Sequence, residues 1–302
     1  LQTLQHNDNK GVFAGVGQYG GNFRGFGPRP KKKISQPHGH PLWDWGAYPK
    51  KDTDMPDDKI AVWAQQKLED EYDKPFFLAV GFIRPHVPYT APKEFFDLYP
   101  MKDIIVPTVP PDEMDDVPLH GKAMAKGTIE GGDHWNVLSI GPNYWKEMTR
   151  AYLACISFVD AQAGKVLDAL EEAGLCDETI VIFTSDHGET LGDHGLMWKG
   201  CRFYEGLVRV PLIISWPGAF RSNVQDDSLV ELLDLTATLL DLAGVEQPDY
   251  QQGKSLVPRL RGEAGGTHRD FVRCEYYDAL DPRSEEHTSE LQSRTNLVCR
   301  LL

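Results

Sequence analysis

Short, wholly apolar runs punctuate this chain, and between them apolar residues return every three or four positions. The runs Phe76–Phe82 (FFLAVGF), Thr179–Thr184 (TIVIFT) and Val210–Ser215 (VPLIIS) show no polar alternation. Such runs predict strands covered on both faces, as in a parallel sheet. The spacing of Tyr152, Ile156, Val159, Ala163, Val166, Leu167 and Leu170 predicts one long helix from Tyr144 to about Ala173, closed by Gly174. Ile60, Val62, Trp63 and Leu68 predict a helix capped by Asp57 or Asp58 and running to about Glu71. Lys93–Tyr99 is one short helical stretch, and Ser228–Leu242 is a further helix stopped by Gly244. Helix, short loop and buried strand in alternation predict an α/β fold, a class that places its chemistry at strand exits.

Other stretches lack a period. The first fifty residues are rich in Gly, Pro and aromatics and predict an irregular segment anchored by Trp43, Asp44 and Trp45; Pro107–Pro118 is irregular too. Ser284–Leu302 shows neither cap nor strand signal, so the expectation is one partial α/β domain over 1–283 and a non-native or disordered tail over 284–302.

Composition narrows the partners. With 302 residues and 41% hydrophobic content the chain can bury a sizeable core, and it contains no apolar run of about 18 residues, so no membrane span is expected. The net charge of −14 is opposite to the basic footprint of a nucleic-acid binder. The five cysteines form no CxxC pair, which argues against a zinc site or a redox dithiol.

Two strand exits carry the informative residues. After TIVIFT come Ser185, Asp186, His187, Gly188 and Glu189. A carboxylate and an imidazole there can turn toward one divalent cation, with Gly188 permitting the bend; a hydrogen-bonded turn is the plainer alternative. Lys199 follows in a Gly-rich loop, where a cation can neutralise an anionic ester. At the other exit, Phe82-Ile83-Arg84-Pro85-His86-Val87-Pro88-Tyr89, two prolines bracket His86 and give its imidazole a defined direction, suited to protonating a leaving group.

Taken in order, KPFFLAVGFIRPHVPY, AYLACISFVDAQAGKVLDALEEAGLCDETIVIFTSDHGETLGDHGLMWKG and VRVPLIISWPG resemble the type I sulfatases, in their iduronate-2-sulfatase-like branch, over about residues 6–280. The resemblance implies an alkaline-phosphatase-like fold: a mostly parallel central sheet flanked by helices, with the small C-terminal subdomain largely missing. It implies a calcium ion and a formylglycine, made from Cys or Ser by a formylglycine-generating or sulfatase-maturing enzyme. The formylglycine hydrate would attack the sulfur of a sulfate ester, here of a carbohydrate. Asp186 and His187 look like half of the calcium shell, Lys199 like the lysine bridging sulfate and nucleophile, His86 like the histidine at the leaving oxygen, and Arg84 like a substrate-binding residue. His6, in Thr3-Leu4-Gln5-His6, matches the end of the family's Gly-Lys-x-x-His motif, with Thr3 where lysine belongs. Export to the periplasm or cell exterior is also implied.

The departures are equally informative. No Cys-x-Pro-x-Arg or Ser-x-Pro-x-Arg occurs, and no Asp-Asp pair stands near the start. The expectation is therefore a fragment whose nucleophile lies upstream and which is inactive alone. Two rival readings stand beside it, a phosphonate monoester or phosphodiester hydrolase of the same superfamily and a non-catalytic binder of sulfated glycans. His38, His40, His120, His134, His194 and His268 are expected to be structural or solvated, with His194 a candidate for orienting Asp186 or the lysine loop.

Overall fold

The computed structural model describes residues 2–4, 27, 28, 30, 32–35, 43–119, 121, 122, 141–199, 203–277 and 296–301. Two compact units emerge: Leu1–Gly174 with Leu191–Met197, and Leu175–Thr190 with Trp198–Leu302. Among the described residues no helix is long and apolar enough to cross a membrane.

In the first unit, strands β1 (Gln2–Leu4) and β2 (Trp45–Ala47) precede helix α1 (Pro56–Glu69). Strands β3 (Phe76–Leu78) and β4 (Tyr89–Ala91), short helix α2 (Lys93–Asp97) and long helix α3 (Pro142–Glu172) follow. β1 pairs with β3 and β2 with β4, both in parallel. The first apolar run thus contributes three strand residues rather than seven, and Phe77 remains exposed. Helix α1 begins at Pro56, a favoured first-turn residue whose missing N–H costs nothing there. No side chain caps this helix. Asp57 and Asp58, expected as caps, lie inside it and are buried. Asp57 Oδ1 instead accepts the backbone N–H groups of Ile83 and Arg84, and Asp58 pairs with Lys165 at 2.5 Å.

Helix α3 ends as its sequence predicts: Gly174 takes φ +69, and its N–H donates to the Glu171 carbonyl at 2.9 Å. The buried stripe keeps Leu170 of the expected residues and otherwise runs through Met148, Ala151, Ala154, Cys155, Phe158 and Gln162, while Ile156 is 40% and Leu167 49% exposed. The small side chains at 151 and 154 let α1 and β4 pack closely against α3, as its contacts with both elements show. Asp44 anchors the stretch before β2 by accepting the N–H groups of Ile34, Ser35 and Trp45.

In the second unit, β5 (Val181–Thr184) pairs antiparallel with β6 (Leu212–Ser215), Phe183 lying opposite Ile213. One short helix, α4 (Glu205–Val208), stands between them. Phe183 and Ile213 share a face and are each more than half exposed, so these strands are not covered on both faces as expected. Helix α5 (Leu232–Leu242) starts four residues later than expected because Glu231 and Asp234 form a capping box. It stops at Ala243, with Gly244 at φ +65. Helix α6 (Val257–Leu260) and the antiparallel pair β7 (Val272–Tyr277) and β8 (Asn296–Leu301) complete the unit. β8 lies within the stretch expected to be foreign or disordered. Of the four strand pairs among the described residues, two are parallel and two antiparallel.

Candidate active site

Strand β5 delivers the chain to Ser185, and the next four residues form a tight, self-bonded turn. Ser185 Oγ donates to the His187 carbonyl at 2.9 Å, and Asp186 Oδ1 accepts the His187 N–H at 3.0 Å. Gly188 N–H donates to the Leu207 carbonyl at 2.7 Å and Glu189 N–H to that of Gly206 at 3.1 Å, laying the turn along α4. A Cβ on Gly188 would stand 2.0 Å from the Gly206 oxygen, so close approach of two backbones is the reason for glycine here.

The hydrogen bonds determine the His187 tautomer. Its Nδ1 lies 2.7 Å from the Gly188 carbonyl, which can only accept, so Nδ1 carries the proton. Nε2 is then an acceptor, and the Lys199 ammonium donates to it at 3.0 Å. Asp186 Oδ2 is 3.6 Å from the same nitrogen, and the Asp186 side chain is 85% exposed. Lys199, twelve residues beyond His187, therefore joins Asp186 and His187 in one cluster in the second unit. Thr190 closes the intervening loop, its N–H at 3.1 Å and its hydroxyl at 2.8 Å both donating to the Trp198 carbonyl.

In the first unit, the His86 ring is fixed in the same manner: Nδ1 donates to the Val87 carbonyl at 2.8 Å, and the backbone N–H of His86 donates to the Ile83 carbonyl at 2.9 Å. The peptide bonds before Pro85 and Pro88 are both cis. Arg84, expected at the substrate, is only 3% exposed. Its Nε donates to the Thr90 carbonyl at 2.9 Å, one terminal nitrogen to the Thr90 hydroxyl at 3.1 Å and the other to the His86 carbonyl at 3.3 Å. A buried guanidinium needs such acceptors. Its visible work is to brace the turn that carries His86. His6 lies outside the described residues.

Two contacts were not anticipated from sequence. His194 Nδ1 meets Glu113 Oε1 at 2.5 Å, and Trp145 Nε1 donates to the Leu191 carbonyl at 3.2 Å, both tying Leu191–Met197 into the first unit. The Trp145 ring also occupies the space a Cβ on Gly192 would need, 2.1 Å away. The Gly-rich character of the loop was a signal for such contacts, although it did not identify the partners.

The model of the family described as Sulfatase matches residues 2–245. This chain belongs to the sulfatase family. Family members hydrolyse sulfuric esters, and the strand-exit cluster of carboxylate, imidazole and ammonium lies within the matched region. A sulfatase of Formosa agariphila is 36% identical over 257 residues, covering 82% of this chain and 50% of that protein. The human iduronate 2-sulfatase is 35% identical over 222 residues, covering 70% of this chain and 40% of that protein. The chain thus spans about half, or less, of these relatives' length.

Solved structures agree on the alkaline-phosphatase-like α/β fold. A phosphonate monoester hydrolase of Agrobacterium radiobacter superposes with a TM-score of 0.66 at 28% identity, covering 80% of this chain and 49% of that one. A protein solved with its substrate D-glucosamine-2-N,6-O-disulfate gives a TM-score of 0.58 at 26% identity, covering 74% and 56%.

Proposed function

We propose that these residues form part of a sulfatase that hydrolyses carbohydrate sulfate esters, in the manner of the iduronate-2-sulfatase-like branch. The observation that carries this reading is the Lys199–His187–Asp186 cluster at the exit of β5. It sets an ammonium donor beside two metal-type donors in a chain of the sulfatase family. The relative bound to a disulfated glucosamine supports a carbohydrate substrate.

Asp186 and His187, with Oδ2 and Nε2 3.6 Å apart, are the residues that would hold part of a calcium site, the carboxylate as the hard oxygen donor and the imidazole once the Lys199 ammonium turns from Nε2 to the substrate. No cluster of three or more His, Cys, Asp or Glu residues occurs among the described residues, so this pair would hold one part of a shell that needs six or more ligands. Calcium, when bound, supplies positive charge to the sulfate oxygens. A formylglycine hydrate would supply the attacking oxygen; its motif is absent from these 302 residues, and we assign it to the longer enzyme, matured by a formylglycine-generating partner. We place that enzyme in the periplasm or outside the cell.

The chain's own residues have defined tasks in this scheme. Lys199 donates to a sulfate oxygen and offsets the charge that grows during attack on sulfur. His86, as an imidazolium, would give the departing alkoxide its Nε2 proton and be left neutral, with its Nδ1 proton still donated to the Val87 carbonyl. Arg84 keeps that turn in place through Thr90 and the His86 carbonyl. His6, where the family motif ends, is assigned a supporting catalytic role.

The full-length enzyme tests the scheme with matched leaving groups. Replacing His86 by glutamine is expected to slow an alkyl sulfate by about 100-fold or more and a nitrophenyl sulfate much less, because a good leaving group needs no acid. Equal losses on both esters would remove the acid role from His86. The isolated 302-residue chain is expected to show no turnover of either ester, and measurable hydrolysis by it would refute an external nucleophile. The likeness to a phosphonate monoester hydrolase favours one second reading, in which phosphonate monoesters are the better substrates. A higher kcat/KM on a phosphonate monoester than on the matched sulfate would establish it.

A further inference from the structure

Four non-glycine residues among those described have positive φ, and three of them, Leu191 (φ 47), His194 (φ 54) and Trp198 (φ 63), lie in the eight positions before Lys199. Left-handed backbone at such residues is uncommon and strained, so it persists only where surrounding bonds impose it. At the end of this loop Thr190 supplies such bonds. It is only 4% exposed, and both its donors, the backbone N–H at 3.1 Å and the hydroxyl at 2.8 Å, converge on the carbonyl of Trp198. That carbonyl belongs to the peptide group whose nitrogen is the backbone nitrogen of Lys199. Two donors from one buried residue orient the Trp198–Lys199 peptide plane, and with it the direction in which the lysine side chain leaves the loop toward His187 Nε2, 3.0 Å from its ammonium.

We propose that Thr190 is a positioning residue for Lys199: its hydroxyl clamps the Trp198 carbonyl and keeps the lysine ammonium beside His187. The catalytic consequence rests on the sulfatase reading above, whereas the positioning itself does not. Sequence offers no hint of this role, since a threonine between Glu189 and Leu191 looks like filler in a loop.

The test uses the 302-residue chain and Thr190→Val, which keeps the shape and removes the hydroxyl donor, with Thr190→Ser as the rescue. Trace labelling of all lysines with acetic anhydride, read by mass spectrometry, reports the reactivity of Lys199 relative to the other lysines of the same molecule. Losing the bond from the Thr190 hydroxyl to the Trp198 carbonyl weakens the hold on the Lys199 backbone by roughly 2- to 10-fold, so the relative labelling of Lys199 should rise by up to that factor in T190V and return to the wild-type value in T190S. Thr190→Ala carries the same expectation and serves if T190V fails to fold. Unchanged relative labelling of Lys199 in a folded T190V or T190A overturns the proposal, as does a T190S protein that behaves like T190V. A general loss of stability with all lysines altered together would mark Thr190 as merely structural, also overturning it. In the full-length enzyme, T190V should lower kcat on a sulfate ester and T190S should restore it. A full-length protein without sulfatase activity would refute the functional reading and leave the labelling result standing.

Discussion

Replacing Gly188 by alanine adds one methyl carbon 2.0 Å from the Gly206 oxygen, 2.9 Å from its carbon and 3.1 Å from the Leu207 Cα. All three neighbours are backbone atoms, so no side chain can swing aside. Reaching a tolerable separation requires a retreat of about 1 Å, which stretches or breaks the bonds from Gly188 to Leu207 (2.7 Å) and from Glu189 to Gly206 (3.1 Å). Each such bond is worth about 0.5–1.5 kcal/mol net, giving an expected destabilisation of about 1–3 kcal/mol. The opposing effect is well defined: Gly188 is not among the glycines at positive φ, and an alanine in ordinary backbone geometry stabilises by about 0.4–1 kcal/mol through the unfolded chain. The two effects differ in sign, so urea denaturation of Gly188→Ala at constant m-value decides between them. Hydrogen exchange should show faster exchange confined to the amides of 188 and 189. A variant as stable as wild type, or more so, would refute the close approach of the turn to α4.

Other perturbations address the second unit and the core. Asp234 is fully buried; burial pushes its carboxyl up, but the N–H groups of Lys254 and Glu231 and the Arg269 guanidinium hold it below the usual carboxylate value. Its contribution is therefore present above the ordinary value of about 3.9 and lost as pH falls through the depressed native one, so acid should unfold the wild type more steeply than Asp234→Asn. At neutral pH Asp234→Ala removes one of the two carboxylates on Arg269, which keeps Glu231 at 3.0 Å, together with the carboxylate beside His268, and should cost about 1–3 kcal/mol in denaturation experiments. Burial pushes the Cys155 thiol up to about 12, so iodoacetamide at pH 8 should modify the half-buried Cys176 while sparing Cys155 until the chain unfolds, as peptide mass mapping would show.

Legibility differed by residue. The stop of α3 at Gly174 was visible because a left-handed C-terminal glycine is a local event. The buried stripe of that helix was visible only in part, Leu170 being buried and Ile156 and Leu167 exposed, since α3 carries apolar residues around more than one face. Asp57 and Asp58 looked like caps because cap preference is local, whereas Pro56 moved the helix start and released both carboxylates to distant partners. Arg84 and His86 are neighbours in one motif, but burial turned the first inward to brace the second.

The chain by itself determined which residues are candidates for the chemistry. Asp186, His187 and Lys199 are set by side-chain type and by a strand-exit motif readable over fifteen positions, and so is family membership. Only the tertiary structure decided how those groups are held: which nitrogen of His187 faces Lys199, which carbonyl Thr190 grips, and why position 188 admits no Cβ. The reason is physical. Side-chain chemistry belongs to each residue alone, while hydrogen-bond direction and close approach depend on backbone atoms that the fold brings together from separate parts of the chain.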